Sequence, residues 1–273
     1  MIPLDTPAAS ELPQADASSL VDRVELERQV QEVYRSVARD PHAPQHFETG
    51  RGLALRLGYP ESLLDFVPGP ALDSFAGVGY HLDLAAIEPG DRVLDLGSGS
   101  GTDGFCAGVL VGETGHVVGV DFTDAQVIRG MRLAESHDFV NVEFFEASID
   151  ELPFDDDSFD VVISNGVVNL SPVKDRVFAE AARVLRPGGR LAISDIVSTT
   201  PLKETTRRNT ELWAACIAGA IPTSAYLDEL AVAGFAVTVA RPNAYRFLSD
   251  RARNACKTYG VESTTLAATL STH

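Results

Sequence analysis

Residues 93–101 read VLDLGSGSG, and the reading of this stretch decides the fold. Val93, Leu94 and Leu96 form a short apolar run, the pattern of a parallel strand buried on both faces. The run meets a loop with glycines at 97, 99 and 101, where the backbone turns sharply and lets a ligand approach with no Cβ in the way. A helical stretch, Asp103–Val111, follows. Strand, glycine loop and helix in this order place an adenosine-containing cofactor at the carboxyl edge of the first strand of an α/β sheet.

Spacing narrows the choice of cofactor. The dinucleotide fingerprint G-x-G-x-x-G requires a glycine at 102, which is Thr102 here. Twenty residues past Gly101, HVVGVD (116–121) ends in Asp121. An acidic side chain at the end of the second strand suits the two hydroxyls of a ribose, and that holds for NAD and S-adenosylmethionine alike.

Two later segments complete a pattern: EASIDELPFDDDSFDVVISN (146–165) and EAARVLRPGGRLAISD (180–195). With the first two, in this order and at these intervals, they resemble the class I S-adenosylmethionine-dependent methyltransferases from about Leu84 onward. The resemblance implies S-adenosylmethionine as cofactor and S-adenosylhomocysteine as product. It implies that Asp95, Gly97, Ser98, Gly99 and Gly101 surround the methionine part and that Asp121 holds the ribose. Phe122 would lie against the adenine, Ser148 and Ile149 along its edge, and Asn165 near the sulfonium.

Within that class, HFETGRGLALRLGYPESLLDFVP (46–68), FAGVGYH (75–81), ISNGVVNLSPVKDRVFAEAARVLRPGG (163–189) and LWAACIAGA (212–220) are similar to the bacterial arsenite methyltransferases and their relatives. In that family's pattern, three cysteines bind the metalloid, one in each of three segments. This chain carries Val78 in the first, Gly166 in the second and Cys216 in the third. One thiolate gives a soft, thiophilic centre neither affinity nor orientation. An organic small-molecule acceptor is therefore the expectation, with arsenite methylation and non-catalytic cofactor binding as the two other readings.

Composition is that of a globular enzyme. The chain has 273 residues, 45% of them hydrophobic, enough to bury a sizeable core. Its 22 basic and 39 acidic residues give a formal charge of −17, which disfavours nucleic acid and anionic membranes as partners. Three cysteines without CxxC or Cys/His spacing argue against a metal site. The N-terminus has no signal-peptide pattern, and no stretch has the length of a membrane span, so a cytoplasmic location is expected.

Periodicity divides the chain into a disordered tail (1–18), a helical cap (19–83) and a methyltransferase core (84–273). The cap carries apolar positions at helical spacing from Leu20 to Ala38, then shorter helices at 52–57, 60–67 and 71–75. Strands are expected at 91–96, 116–121, 142–145, 160–164, 190–197, 236–240 and 262–270. Helices are expected at 103–111, 124–136, 174–185, 205–218, 224–233 and 249–258. This rhythm predicts an α/β, Rossmann-like doubly wound, mostly parallel seven-stranded sheet with an N-terminal helical cap.

The acceptor pocket is expected from Val78, Gly166, Asn169, Trp213 and Cys216. His81 and Tyr80 are the catalytic candidates, His81 as a base. Against this, a lone histidine commonly satisfies a local hydrogen bond, and Tyr80 and Trp213 also fit as core aromatics. Few catalytic side chains are needed in any case. The sulfonium is an activated donor, and the protein mainly places an acceptor in line with it, away from water.

Overall fold

The computed structural model describes residues 22–40, 47–209, 212–213, 216–248 and 250–272. The expected tail 1–18 and the first residues of the expected helix 20–38 lie outside them. Helix α1 spans Arg23–Arg39, followed by α2 (Arg51–Leu57), α3 (Glu61–Leu64) and α4 (Gly69–Asp73). The alternating part runs β1 (Arg92–Leu96), α5 (Thr102–Val111), β2 (His116–Asp121), α6 (Asp124–Ser136), β3 (Val142–Glu146), β4 (Phe159–Asn165), α7 (Lys174–Val184) and β5 (Leu185–Val197). It closes with α8 (Glu204–Arg207), α9 (Thr223–Val232), β6 (Phe235–Pro242), α10 (Asp250–Tyr259) and β7 (Glu262–Leu270).

The seven strands form one sheet in the order β3-β2-β1-β4-β5-β7-β6, with β7 antiparallel to both neighbours and the rest parallel. Both faces are covered, as an all-parallel centre demands. Val93, Val117, Val161 and Ile163 pack with Phe105 and Val127 on one face. Leu94, Val118, Val162 and Ile193 pack with Phe178 and Tyr226 on the other. The strand order reverses between β1 and β4, which opens a crevice beyond their carboxyl ends. α1 lies across this crevice, with Asp22 accepting the amides of Val24 and Glu25 as its N-cap.

Two expectations need correction. A continuous helix over 205–218 does not form. α8 ends at Arg207, and Cys216 adopts a left-handed backbone with φ 58°. Local caps and one tertiary bond interrupt it: the Asn209 side chain accepts the Leu212 amide at 3.1 Å, and the Cys216 carbonyl is taken by the distant Asn169 at 2.7 Å. The strand expected at 190–197 begins at Leu185 instead, because Leu185 pairs with Phe159 across an irregularity in β4.

Candidate functional site

The glycine loop is tied to the second strand before any ligand enters. The amides of Gly97 and Ser98 donate to the Val120 carbonyl at 2.8 and 2.9 Å. The amide of Gly99 donates to Oδ2 of Asp121 at 3.0 Å, and that of Thr123 to its Oδ1 at 2.8 Å. Gly101 caps α5 at φ 99°, and a Cβ there would run into the Phe144 ring. Asp121 thereby orders the loop and still offers lone pairs to a ribose.

Two adjoining hollows follow the crevice. The first, about 660 Å³, is lined by Asp95, Gly97, Ser98, Gly99, Asp103, Asp121, Phe122 and Asn165, together with Tyr34 and Phe75 from the helical segment. The second, about 530 Å³, shares Gly97 and Phe122 and continues past Ser148, Ile149 and Asp150 beneath Arg23, Leu26 and Val30 of α1. Gly101 supports the loop from behind and does not line either hollow.

The electrostatics of the first hollow define what it accepts. Asp95 is 1% exposed, and burial, with Asp103 and Asp121 nearby, raises its pKa well above the ordinary carboxylate range. Its Oδ2 and the Ser98 hydroxyl are buried without a partner. Crowded buried carboxyls hold a proton in the free protein and favour a cationic ligand, which draws out the ionised form. The second hollow has apolar walls from Leu26, Val30 and Ile149 and polar edges from Arg23, Ser148 and Asp150.

Asn165 joins the cofactor side to the segment 77–79. Its Oδ1 accepts the amides of Val78 at 2.8 Å and Gly79 at 3.3 Å. Its Nδ2 donates at 3.0 Å to the Gly79 carbonyl, to Oδ2 of Asp103 and to the Tyr59 hydroxyl. Tyr59 in turn donates a short hydrogen bond to Asp103. Gly166, next along the chain, has φ 76° and faces Val78. Val78 and Cys216 belong to one apolar cluster, with Tyr245 and Phe247 packed against it. The Cys216 thiol lies beside the Tyr34 side chain, and burial pushes its pKa up to about 12.

Val78, Gly166 and Cys216 themselves line neither hollow, and the other expected acceptor residues lie behind them. Asn169 is wholly buried and binds the Cys216 carbonyl rather than the cavity. Trp213 is 1% exposed, packs under Leu26 and Val30, and donates from its indole to the Arg207 carbonyl at 2.6 Å. Neither catalytic candidate reaches the hollows. His81 is fully buried with both ring nitrogens unpartnered, and burial lowers its pKa. The Tyr80 ring packs at a tilt against Tyr59, with centroids 4.5 Å apart, and burial raises its hydroxyl to about 12. Sequence reasoning missed Tyr34, Tyr59 and Asp103. Asp103, in the first turn of α5, had a helix-start signal, and Tyr34 lay on the apolar stripe of α1. Tyr59 had none.

Sheet order, glycine loop and acidic cleft together define a class I methyltransferase fold. Residues 87–250 match the methyltransferase domain family, and the chain belongs to it. The arsenite methyltransferase of Halobacterium salinarum is 44% identical over 208 residues, covering 74% of this chain and 52% of that protein. The structure of CrArsM, an arsenic (III) S-adenosylmethionine methyltransferase from Chlamydomonas reinhardtii, is similar with a TM-score of 0.62 at 32% identity, over 81% of this chain and 74% of that one. A geranyl diphosphate C-methyltransferase from Streptomyces coelicolor shares the fold at 16% identity, with a TM-score of 0.63 over 89% and 97% of the two chains. The chain spans about half the length of the curated relatives it matches. Among the described residues no helix is long and apolar enough to cross a membrane.

Proposed function

We propose that this protein transfers the methyl group of S-adenosylmethionine to a small organic acceptor, with residues 19–83 as a cap over a core of 84–273. The observation that carries the reading is the carboxyl set Asp95, Asp103 and Asp121 around a hollow that favours a cationic ligand. Asp95 and the Ser98 hydroxyl would meet the amino-acid end of the cofactor, Asp121 its ribose, Phe122, Ser148 and Ile149 its adenine. The bound cofactor supplies an electrophilic methyl group. The chain's own part is to hold it, to exclude water with α1, and to present Val78, Gly166 and Cys216 toward the acceptor. Asn165 positions both sides by clamping residues 78–79 against Asp103. A formal charge of −17 supports a small molecule over a nucleic acid as acceptor.

Methylation of arsenite is the second reading. It is favoured by the relatives' names and by Cys216, which shares a cluster with Val78. The experiment is calorimetry with S-adenosylhomocysteine and NADH, followed by a turnover screen of small organic acceptors and arsenite for S-adenosylhomocysteine release. Binding of the first ligand only, with turnover of an organic acceptor, is expected. Binding without turnover on any acceptor would leave a cofactor-binding protein.

A further inference from the structure

The acceptor wall rests on a buried charged network that lies outside both hollows. Lys174 opens α7 and is only 6% exposed. A cation in the first turn opposes the helix dipole, and burial strips its water, so it persists only with strong partners. Its Nζ donates to the carbonyls of Asn169 at 3.0 Å and Ser171 at 2.7 Å, and lies 5.2 Å from the centre of the Trp213 ring. Asp195 of β5, wholly buried, accepts the Asn169 amide at 2.8 Å and the Tyr226 hydroxyl at 3.0 Å. The N–H and the carbonyl of Asn169 are thus held by two buried groups of opposite charge, Asp195 and Lys174. Its side chain then donates to the carbonyl of Cys216 at 2.7 Å. Gly219 packs so closely on Asn169 that a Cβ there would overlap its carbonyl oxygen. The turn so held has a left-handed cysteine, a conformation that a residue with a side chain resists.

We propose that Lys174 and Asp195 are positioning residues that, acting through Asn169, hold the Cys216 turn in its left-handed form and so keep the thiol against Tyr34 at the acceptor end of the cleft. The assignment of that end to the acceptor rests on the methyltransferase reading; the mechanical link does not. Glu229 of α9 and Arg207 of α8 also face Lys174, Glu229 favouring the ammonium and Arg207 opposing it. Burial lowers Lys174 to about 8, so the grip weakens as the ammonium loses its proton above that pH.

The test uses the whole chain with iodoacetamide, reading alkylation of Cys106, Cys216 and Cys256 peptide by peptide. In Lys174→Met, the Cys216 rate should rise about tenfold or more, while the Cys106 rate and S-adenosylhomocysteine affinity stay within about twofold. In the unaltered protein, the Cys216 rate should climb more steeply from pH 7.5 to 8.5 than the roughly tenfold that thiol ionisation alone gives. An unchanged Cys216 rate in Lys174→Met, or equal acceleration at Cys106, would overturn the proposal. If that variant does not fold, a slope of about tenfold per pH unit in the unaltered protein overturns it instead. Calorimetry with S-adenosylhomocysteine on the same samples separates the two claims: no binding there refutes the methyltransferase reading and leaves the alkylation result standing.

Discussion

Gly166 faces Val78, and a Cβ built on Gly166 would sit 3.2 Å from Cγ1 of Val78. These are the two positions at which the arsenite family's pattern has cysteines. The structure therefore brings these two positions together while this sequence leaves them without sulfur. Cys216, the third position, shares the Val78 cluster.

Arsenite should bind poorly and turn over slowly, because one thiol cannot fix a soft trivalent centre. Trp213 is the single tryptophan and lies three residues before Cys216, so its fluorescence reports on this site. Arsenite should leave that signal unchanged in the unaltered protein and quench it in Val78→Cys/Gly166→Cys. The added side chain at 166 costs about 1–2 kcal/mol of left-handed strain, which a melting curve would show. Strong arsenite turnover by the unaltered protein that disappears in Cys216→Ser would restore the metalloid reading.

Gly99 and Gly101 should fail in different ways. At Gly99, φ is 54° and a Cβ would meet nothing within 4 Å. Gly99→Ala should lower stability by only about 1 kcal/mol while intruding on the cofactor hollow, so affinity for S-adenosylhomocysteine falls well beyond the change in melting temperature. At Gly101 a Cβ meets the Phe144 and Phe105 rings. Gly101→Ala should cost about 2–4 kcal/mol of stability, combining strain with overpacking. Calorimetry and thermal melts on both variants check the contrast. Equal melting shifts would count against it.

Cofactor binding should release a proton. Burial first, then Asp103 and Asp121, raise the pKa of Asp95 in the free protein. A raised carboxylate stabilises the free fold at low pH, and that contribution is lost as pH rises through the folded value. A bound cation favours the ionised form, so affinity and the cofactor-induced rise in melting temperature should both grow with pH across that titration. Calorimetry in two buffers of different ionisation enthalpy measures the proton directly. Identical apparent enthalpies would remove Asp95 from the cation site.

Helix α1 should gain protection when cofactor binds. Arg23 pairs with Asp150 at 2.9 Å, Gln31 donates to the Phe122 carbonyl at 2.9 Å, and Gln126 donates to the Tyr34 carbonyl at 3.1 Å. All three contacts border the two hollows, so filling them tightens the helix against the core. Hydrogen exchange with and without S-adenosylhomocysteine should show slower exchange over 23–39. Unchanged exchange there would make α1 a fixed packing element.

The alternating core was readable from residue order alone because both buried strands and amphipathic helices write their period into the chain. Strands 116–121 and 262–270 and helix 124–136 have the bounds that periodicity assigns. The cofactor loop was equally legible, since Gly99 and Asp121 answer to local backbone needs and to one ligand. The expected helix over 205–218 is interrupted because the Cys216 carbonyl is claimed by Asn169, 47 residues away. His81 and Tyr80 fit a catalytic pattern in sequence, whereas long-range packing buries the first and tilts the second against the Tyr59 ring. By itself the sequence determined the sheet, the glycine loop and the missing thiols at 78 and 166, all properties of near neighbours or of single positions. Only the tertiary structure decided that Tyr34 meets Cys216, that Asn165 clamps residues 78–79 to Asp103, and that Lys174 and Asp195 grip Asn169. Apart from the five-residue step from Lys174 to Asn169, those contacts join segments 26 or more residues apart, and no local pattern encodes which distant side chain a buried polar group will find.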